Sequence, residues 1–310
     1  MLSCLKCKKQ AITFIRYSGA HLCKSHFIEF FEKRVKKELR RQCSLRGIKK
    51  IAIAASGGKD STVLLFVLNK FLARRKNLDI VAITVDEGIK GYRTKSILAL
   101  KKNCAQWNIE HHIITFKDFF YTMDEIAKLH TAFTACAYCG VFRRYLLNKK
   151  AKELKAQLLA TGHNLDDTAQ SILMNITRGD IEKLARMGPH TNVQKGLVPR
   201  IEPLRTIPEK ETYLYALLNK IDYHHGECFY AGQALRNLYR KIIYELEASS
   251  PGTRHAILQS YDSIACALKK SYKPARLRAC KVCKESTTQN ICKACELKEV
   301  LTRTRFNTIN

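Results

Sequence analysis

Acidic side chains are scarce in this chain: 27 aspartates and glutamates stand against 55 lysines and arginines, a formal net charge of +28. Such an excess goes far beyond what solubility requires and costs self-repulsion in the folded state, so a polyanionic partner is expected to offset it. Long apolar runs are missing as well. Hydrophobic residues make up 46% of the chain but are spread along it, and nothing approaches the roughly 20 consecutive apolar residues of a membrane span. A soluble protein is expected. The opening MLSCLKCKKQ has no apolar stretch of signal-peptide length, which speaks against secretion. Evenly paired cysteines are absent too. There are 13 in all, and eight of them fall in CxxC pairs, a pattern that disfavours a disulfide framework and suits metal or redox chemistry in a reducing compartment. The cytoplasm is the expected location.

The positive charge is concentrated at the ends. Residues 1–50 hold 14 basic and 3 acidic side chains, and residues 269–310 hold 11 and 3. For one run, such as KRVKKELRR at 33–41, a solvated helix face is the plain explanation. The excess over the whole chain favours nucleic acid, because each neutralised phosphate releases a counterion. An anionic membrane surface is the rival, since residues 27–41 can be drawn as an amphipathic helix.

The cysteines fall into three groups. Cys4-x2-Cys7 with Cys23-x2-His26 makes two short knuckles, and Cys280-x2-Cys283 with Cys292-x2-Cys295 makes two more. Each set offers four ligands suited to tetrahedral zinc, and a segment this short needs a metal to fold. Two closed, structural zinc sites are expected. The third group, Cys136-Ala-Tyr-Cys139, lacks a second pair and precedes a basic helical pattern, VFRRYLLNKK. Arg143 and Arg144 beside it are expected to lower the thiol pKa values, making redox or sulfur-carrying nucleophiles. An iron–sulfur cluster would need another thiolate. Cys228 is the leading candidate, although spacing alone does not choose it over Cys43, Cys104 or Cys266, which are read as buried apolar thiols.

Between residues 48 and 178, β-branched runs alternate with longer amphipathic segments. The runs cover 50–54, 80–85, 111–116 and 157–161. They imply an α/β fold with a parallel sheet and helices on both faces. The first run leads into Ser56-Gly57-Gly58-Lys59-Asp60-Ser61 and then a helical pattern. Glycines there let the backbone approach an anion, the helix start offers free N–H groups, and Ser56, Lys59 and Ser61 add donors. The four-residue gap of a Walker A loop is missing. A glycine pair in a strand-to-helix turn is often only structural, but SGGKDS resembles the loop of the PP-loop ATP pyrophosphatases. Two more segments fall beyond strand ends, where open α/β sheets bind ligands. Asp86 in VDEG is a candidate nucleotide contact. Gly162, Asp166 and Asp167 lie in TGHNLDD, where an aspartate, with Asp60, is a candidate for holding magnesium. Helix capping by Asn164 or Asp166 is the alternative. His163 is read as a hydrogen-bonded neighbour of the loop.

The terminal CxxC…CxxH and CxxC…CxxC sets, SGGKDS, VDEGI, CAYCG, TGHNLDDTAQ and RIEPLRTIPEKE, in this order, resemble the two-zinc-finger group of tRNA 2-thiouridine synthetases within the PP-loop superfamily. The resemblance covers nearly the whole chain. It implies that ATP with Mg2+ adenylates the C2 oxygen of a tRNA uridine and that sulfur then displaces AMP. It also implies a 4Fe-4S cluster on Cys136, Cys139 and Cys228 with one iron open to the incoming sulfur, catalytic aspartates at Asp60 and Asp166 or Asp167, and a basic catalytic residue at Arg143. The segment 229–237 departs from the family's pattern. In this group sulfur comes from a ubiquitin-like carrier with a C-terminal thiocarboxylate, or from free sulfide. The target is the wobble uridine or one in the T loop, and CAYCGVFRR leans to the wobble branch. A homodimer is the base-rate expectation. Competing readings are a non-catalytic tRNA-binding scaffold, another PP-loop chemistry, or a cysteine persulfide mechanism without a cluster. The implied layout is a zinc finger at 1–30, a basic helical linker at 31–47, a catalytic domain at 48–205, a helical extension at 206–272 carrying Cys228, and a zinc ribbon at 273–310.

Overall fold

The computed structural model of the protein describes residues 2–129, 131, 133–230, 235–273 and 275–309. The chain opens on a hairpin, β1 (Thr13–Ile15) and β2 (Ala20–Leu22), and enters helix α1 (Lys24–Gln42). Strands and helices then alternate through β3 (Lys50–Ala54), α2 (Lys59–Leu72), β4 (Asp79–Asp86), α3 (Arg93–Gln106), β5 (Glu110–Thr115), the short α4 (Met123–Ile126), α5 (Ala135–Glu153), β6 (Leu158–Thr161), α6 (Leu165–Thr177), α7 (Ile181–Ala185) and β7 (Arg200–Ile201). Helices α8 (Glu209–Leu218), α9 (Arg236–Ser249) and α10 (Thr253–Ser271) lead to a second hairpin, β8 (Arg278–Ala279) and β9 (Ser286–Thr287), and to α11 (Lys293–Ile309).

The central sheet runs β5-β4-β3-β6-β7 with every pairing parallel. Parallel neighbours need crossovers, and the helices that supply them cover both faces. Alternation along each strand then sorts side chains between two cores. Ile51 and Ile53 of β3 pack with α1, α2 and α8, whereas Ala52 packs with α5 and α11. A smaller cluster joins α6 to α10 through Leu165, Ile172, Leu258 and Tyr261. The four strands expected from sequence lie within one residue of β3, β4, β5 and β6. Strand β7 was not foreseen, because two residues are too few to show an alternation.

The terminal modules are parts of the cores rather than satellites. Phe27, Phe31, Val35 and Leu39 of α1 are buried in the first core together with Cys4 and Cys23. The apolar stripe drawn above as a membrane face is therefore covered by the protein itself, and the segment 31–47 is mostly core helix, not linker. Arg34 on α1 donates to Glu211 Oε2 at 2.5 Å and Tyr17 donates to Glu211 Oε1 at 2.6 Å, tying hairpin, α1 and α8 together. At the other end, Leu297 and Leu301 of α11 join Cys280 and Cys292 in the second core. Among the described residues no helix is long and apolar enough to cross a membrane. Of the lone cysteines, Cys104 is buried and Cys43 half-buried, but Cys266 is exposed. The stripe that α10 turns inward is Leu258, Tyr261, Ala265 and Leu268, and Cys266 lies off that helical period. Residues 231–234, within the divergent segment 229–237, lie outside the described residues.

Candidate active site

Beyond the C-terminal end of β3 the chain turns through Ser56, Gly57 and Gly58 into α2. Gly57 has φ +81°, and a Cβ there would lie 2.2 Å from the Ser96 carbonyl oxygen, so only glycine fits. At Gly162, after β6, a Cβ would come within 2.9 Å of the Ser61 nitrogen. Ser61 Oγ accepts from the Ser56 N–H at 3.0 Å and donates to the Gly58 carbonyl at 3.1 Å, which locks the turn. The first-turn N–H groups of α2 and the positive end of its dipole are thereby left for an anion. Lys59 Nζ lies 2.9 and 3.0 Å from the two oxygens of Asp60 and 3.4 Å from Glu209. Burial pushes the Asp60 carboxyl up despite Lys59, and the charge of Asp167 adds to the shift.

The loop opens onto a cavity of about 550 Å³. Ser56, Gly58, Lys59, Asp60 and Ser61 line it, with Gly162, His163 and Asp167 beside them. Cys136, Cys139, Arg143 and Cys228 line the same space. Cys136 and Cys139 lie one turn apart at the start of α5. Cys228 comes from the coil after α8, which is anchored where the His224 N–H donates to the Gly57 carbonyl at 2.9 Å and the Tyr230 hydroxyl donates to Asp124 at 2.8 Å. Cys136 Sγ contacts the Tyr230 carbonyl at 3.5 Å. The lowered thiol pKa values expected from Arg143 are not found. Burial raises both Cys136 and Cys139, and the nearby guanidinium only partly opposes it.

The three thiols do not close into a set as tight as the terminal ones, whose ligand atoms all lie within 4.8 Å of one another. Three thiols lining one cavity supply the soft sulfur donors that an iron–sulfur cluster needs. The donor set fits the group that the resemblance implies.

Sequence reasoning missed Glu87. It is 3% exposed, with Oε2 2.5 Å from Arg93 Nε in an ionic contact too bent for a hydrogen bond, and Oε1 3.1 Å from Arg143 Nε. Arg93 donates onward to the Ser56 carbonyl at 2.8 Å, and Arg143 Nη2 donates to Cys139 Sγ at 2.9 Å. One buried carboxylate thus links the phosphate loop to the cysteine pair. Its only sequence signal is an acid at the end of an apolar strand, next to Asp86.

The other candidates divide. Asp86 accepts from the Gly88 N–H at 2.9 Å and is not among the residues lining the cavity. Asp166 turns away, paired with Arg254 at 3.0 Å and accepting from the Glu209 N–H at 2.7 Å. Asp167 faces the cavity while closing a capping box with Asn164 and holding Arg236 at 3.2 Å. Burial works against the charge on His163, but Glu202 at 3.6 Å prevails and raises its pKa.

Both terminal four-ligand sets are assembled. Cys4 and Cys23 Sγ lie 3.3 and 3.4 Å from His26 Nδ1, Cys7 lies 3.8 Å from Cys23, and Cys283 lies 3.6 Å from Cys292. A tetrahedral ion with metal–sulfur bonds of about 2.3 Å requires sulfur–sulfur edges of about 3.8 Å, so each set can hold one. Backbone N–H groups point at the sulfurs, as from Cys292 to Cys280 at 3.2 Å.

Comparison with known proteins agrees in each region. Residues 29–247 match the family model described as a PP-loop domain, and residues 3–28 match the N-terminal LIM domain of 2-thiouridine synthetase TtuA. The tRNA 2-thiolation protein NcsA of Haloferax volcanii is 38% identical over 96% of this chain and 98% of its own length. Cytoplasmic tRNA 2-thiolation protein 1 of Arabidopsis thaliana is 39% identical over 91% of this chain and 79% of its own. Among solved structures, U34-tRNA thiolase NcsA from Methanococcus maripaludis with its [4Fe-4S] cluster superposes with a TM-score of 0.83 at 36% identity, covering 96% of both chains. With its phosphate loop, its cysteine-lined cavity and relatives matched from end to end, this chain belongs to the PP-loop family of tRNA 2-thiolation proteins.

Proposed function

We propose that the protein thiolates the wobble uridine of tRNA at C2, using ATP. The observation that carries this reading is a single cavity holding both a pyrophosphate loop and three convergent cysteines. In the first step the uridine C2 oxygen attacks the α-phosphorus, the α–β bridge breaks, and pyrophosphate leaves. The loop N–H groups, Ser56, Ser61 and Lys59 hold the departing phosphates, and Asp60 and Asp167 are the carboxylates that would hold magnesium. In the second step sulfur bonds to C2, the C2–O bond breaks, and AMP departs with the oxygen. Cys136, Cys139 and Cys228 are the residues that would hold a 4Fe-4S cluster, and its Lewis acidity would keep incoming sulfide a nucleophile at neutral pH. Arg143, aimed at Cys139, steadies the negative charge on that side of the cavity. The terminal four-ligand sets hold structural zinc, and the basic ends grip the tRNA.

The wobble position is favoured by the U34 thiolase name of the Methanococcus maripaludis protein. Sulfide or a ubiquitin-like thiocarboxylate carrier delivers the sulfur, and the protein works as a homodimer. A scaffold without catalysis would have no use for the intact loop. The test is an anaerobic reaction with ATP, sulfide and unmodified tRNA, followed by nucleoside mass spectrometry on separated anticodon and T-loop fragments. Thiouridine in the anticodon fragment is expected. Its appearance in the T-loop fragment would overturn the target, and its absence from both, with cluster and tRNA bound, would overturn the reaction.

A further inference from the structure

The cavity carries positive charge that the phosphate loop does not account for. Arg144 on α5 and Arg200 on β7 both line it. Other cations on its wall have carboxylate partners, Lys59 in Asp60 and Arg93 and Arg143 in a shared Glu87, which leaves that trio one positive charge in excess. Among the described residues neither the Arg144 nor the Arg200 side chain makes an ion pair or donates a hydrogen bond. The carboxylate that acts on Arg200 is Glu202, which is already engaged by His163 at 3.6 Å. The Arg144 guanidinium lies over Gly140, where a Cβ would stand 3.5 Å from Nη1, so the small residue leaves it room. Partial desolvation at the cavity wall, then repulsion from Arg200 and Arg143, lower the Arg144 pKa although the residue stays open to solvent. Two like charges facing one cavity are unfavourable until an anion joins them.

We propose that Arg144 and Arg200 form an anion subsite that takes a backbone phosphate of the RNA, next to the base delivered into the cavity. This rests on the thiolation reading. The phosphates of ATP already have a cradle in Ser56–Ser61 and metal-binding carboxylates in Asp60 and Asp167. A base that leaves its stack to reach a buried atom brings its flanking phosphates to the cavity mouth. Guanidinium forks match phosphate oxygens two at a time and are weakly hydrated, so this site favours arginine.

The experiment measures tRNA affinity against salt, and ATP affinity separately, for the full-length, cluster-loaded protein and its Arg144→Gln and Arg200→Gln forms. Sulfide serves as the donor, which takes the carrier's carboxylate out of the reaction. Each variant is expected to bind tRNA about 10-fold more weakly at low salt, with the logarithmic salt slope reduced by roughly 0.7–0.9 and ATP affinity unchanged. Arg144→Lys and Arg200→Lys should keep the slope, which separates charge from folding. A weaker grip on ATP with an unaltered tRNA slope would assign the pair to the nucleotide and overturn the proposal. So would normal behaviour with sulfide but failure with a thiocarboxylate carrier. If wild-type protein thiolates tRNA and the glutamine variants bind as it does, this inference alone fails; if wild type does not thiolate tRNA, the functional reading fails.

Discussion

Replacing Glu87 by alanine would strand two guanidinium groups at once. The Arg93 side chain is 5% exposed, so its charge stays buried after its partner has gone, and removing one member of such a pair costs about 3–5 kcal/mol. Arg93 still donates to the Val85 and Ser56 carbonyls, which places the expected loss at the lower end, about 3 kcal/mol. Total stabilities run to about 5–15 kcal/mol, so the change is large. Arg143 adds little to stability because its side chain is 48% exposed and screened by water. What it loses is direction. Glu87→Gln keeps the shape and one acceptor, so it should fold well enough for kinetics. There the freed Arg143 should slow thiolation by about 100-fold, the scale of a 1 Å misplacement, with ATP affinity within twofold of wild type. Denaturant unfolding of the alanine variant and single-turnover thiolation by the glutamine variant test the two halves. An alanine variant that unfolds within about 0.5 kcal/mol of wild type, as an ordinary surface change does, would refute the buried link between loop and cysteines.

The three neighbouring aspartates should separate by role. Asp60→Asn and Asp167→Asn are expected to slow tRNA-dependent AMP release by about 100-fold or more, whereas Asp166→Asn should chiefly lower stability by leaving Arg254 buried without its partner; equal kinetic losses at 166 and 167 would contradict the geometry. His163 should titrate above 6.5 by NMR, and Glu202→Gln should bring it below that value, since burial alone lowers it. Because the folded pKa is the raised one, the pair's contribution to stability is present below pH 6.5 and fades as pH rises through the folded value. An unmoved titration in Glu202→Gln would show that the carboxylate is not the cause. Stripping metal from the terminal sets should release two ions per chain and expose residues near 280–295 to protease, because a structural ion contributes about 10–16 kcal/mol of binding to such a module. A fully folded, metal-free protein with unreactive terminal thiols would refute that role.

Much of this was legible in the sequence where the signal is local. The β3 run and the SGGKDS turn lie side by side in the chain, so strand, loop and helix start could be read together, and the four-ligand sets announce themselves by spacing. The boundaries of α1 were less visible. Its charges suggested a linker, and only the partners of Phe27, Phe31, Val35 and Leu39 reveal a core helix. Across the cavity, local reading fails for a physical reason. Spacing could not separate Cys228 from three other lone cysteines, because what brings it to Cys136 is the path of the coil after α8 over the loop, fixed by the bond from His224 to Gly57. Asp166 and Asp167 differ by one residue, yet about 100° of helix turn sends one to Arg254 and the other to the cavity. Glu87 makes the same point more strongly. A buried charge is tolerable only if its partners are present, and those partners, Arg93 and Arg143, lie on two different helices on either side of β5 in the chain. The feature that best joins nucleotide chemistry to sulfur chemistry in this protein is therefore the one that a linear reading was least able to find.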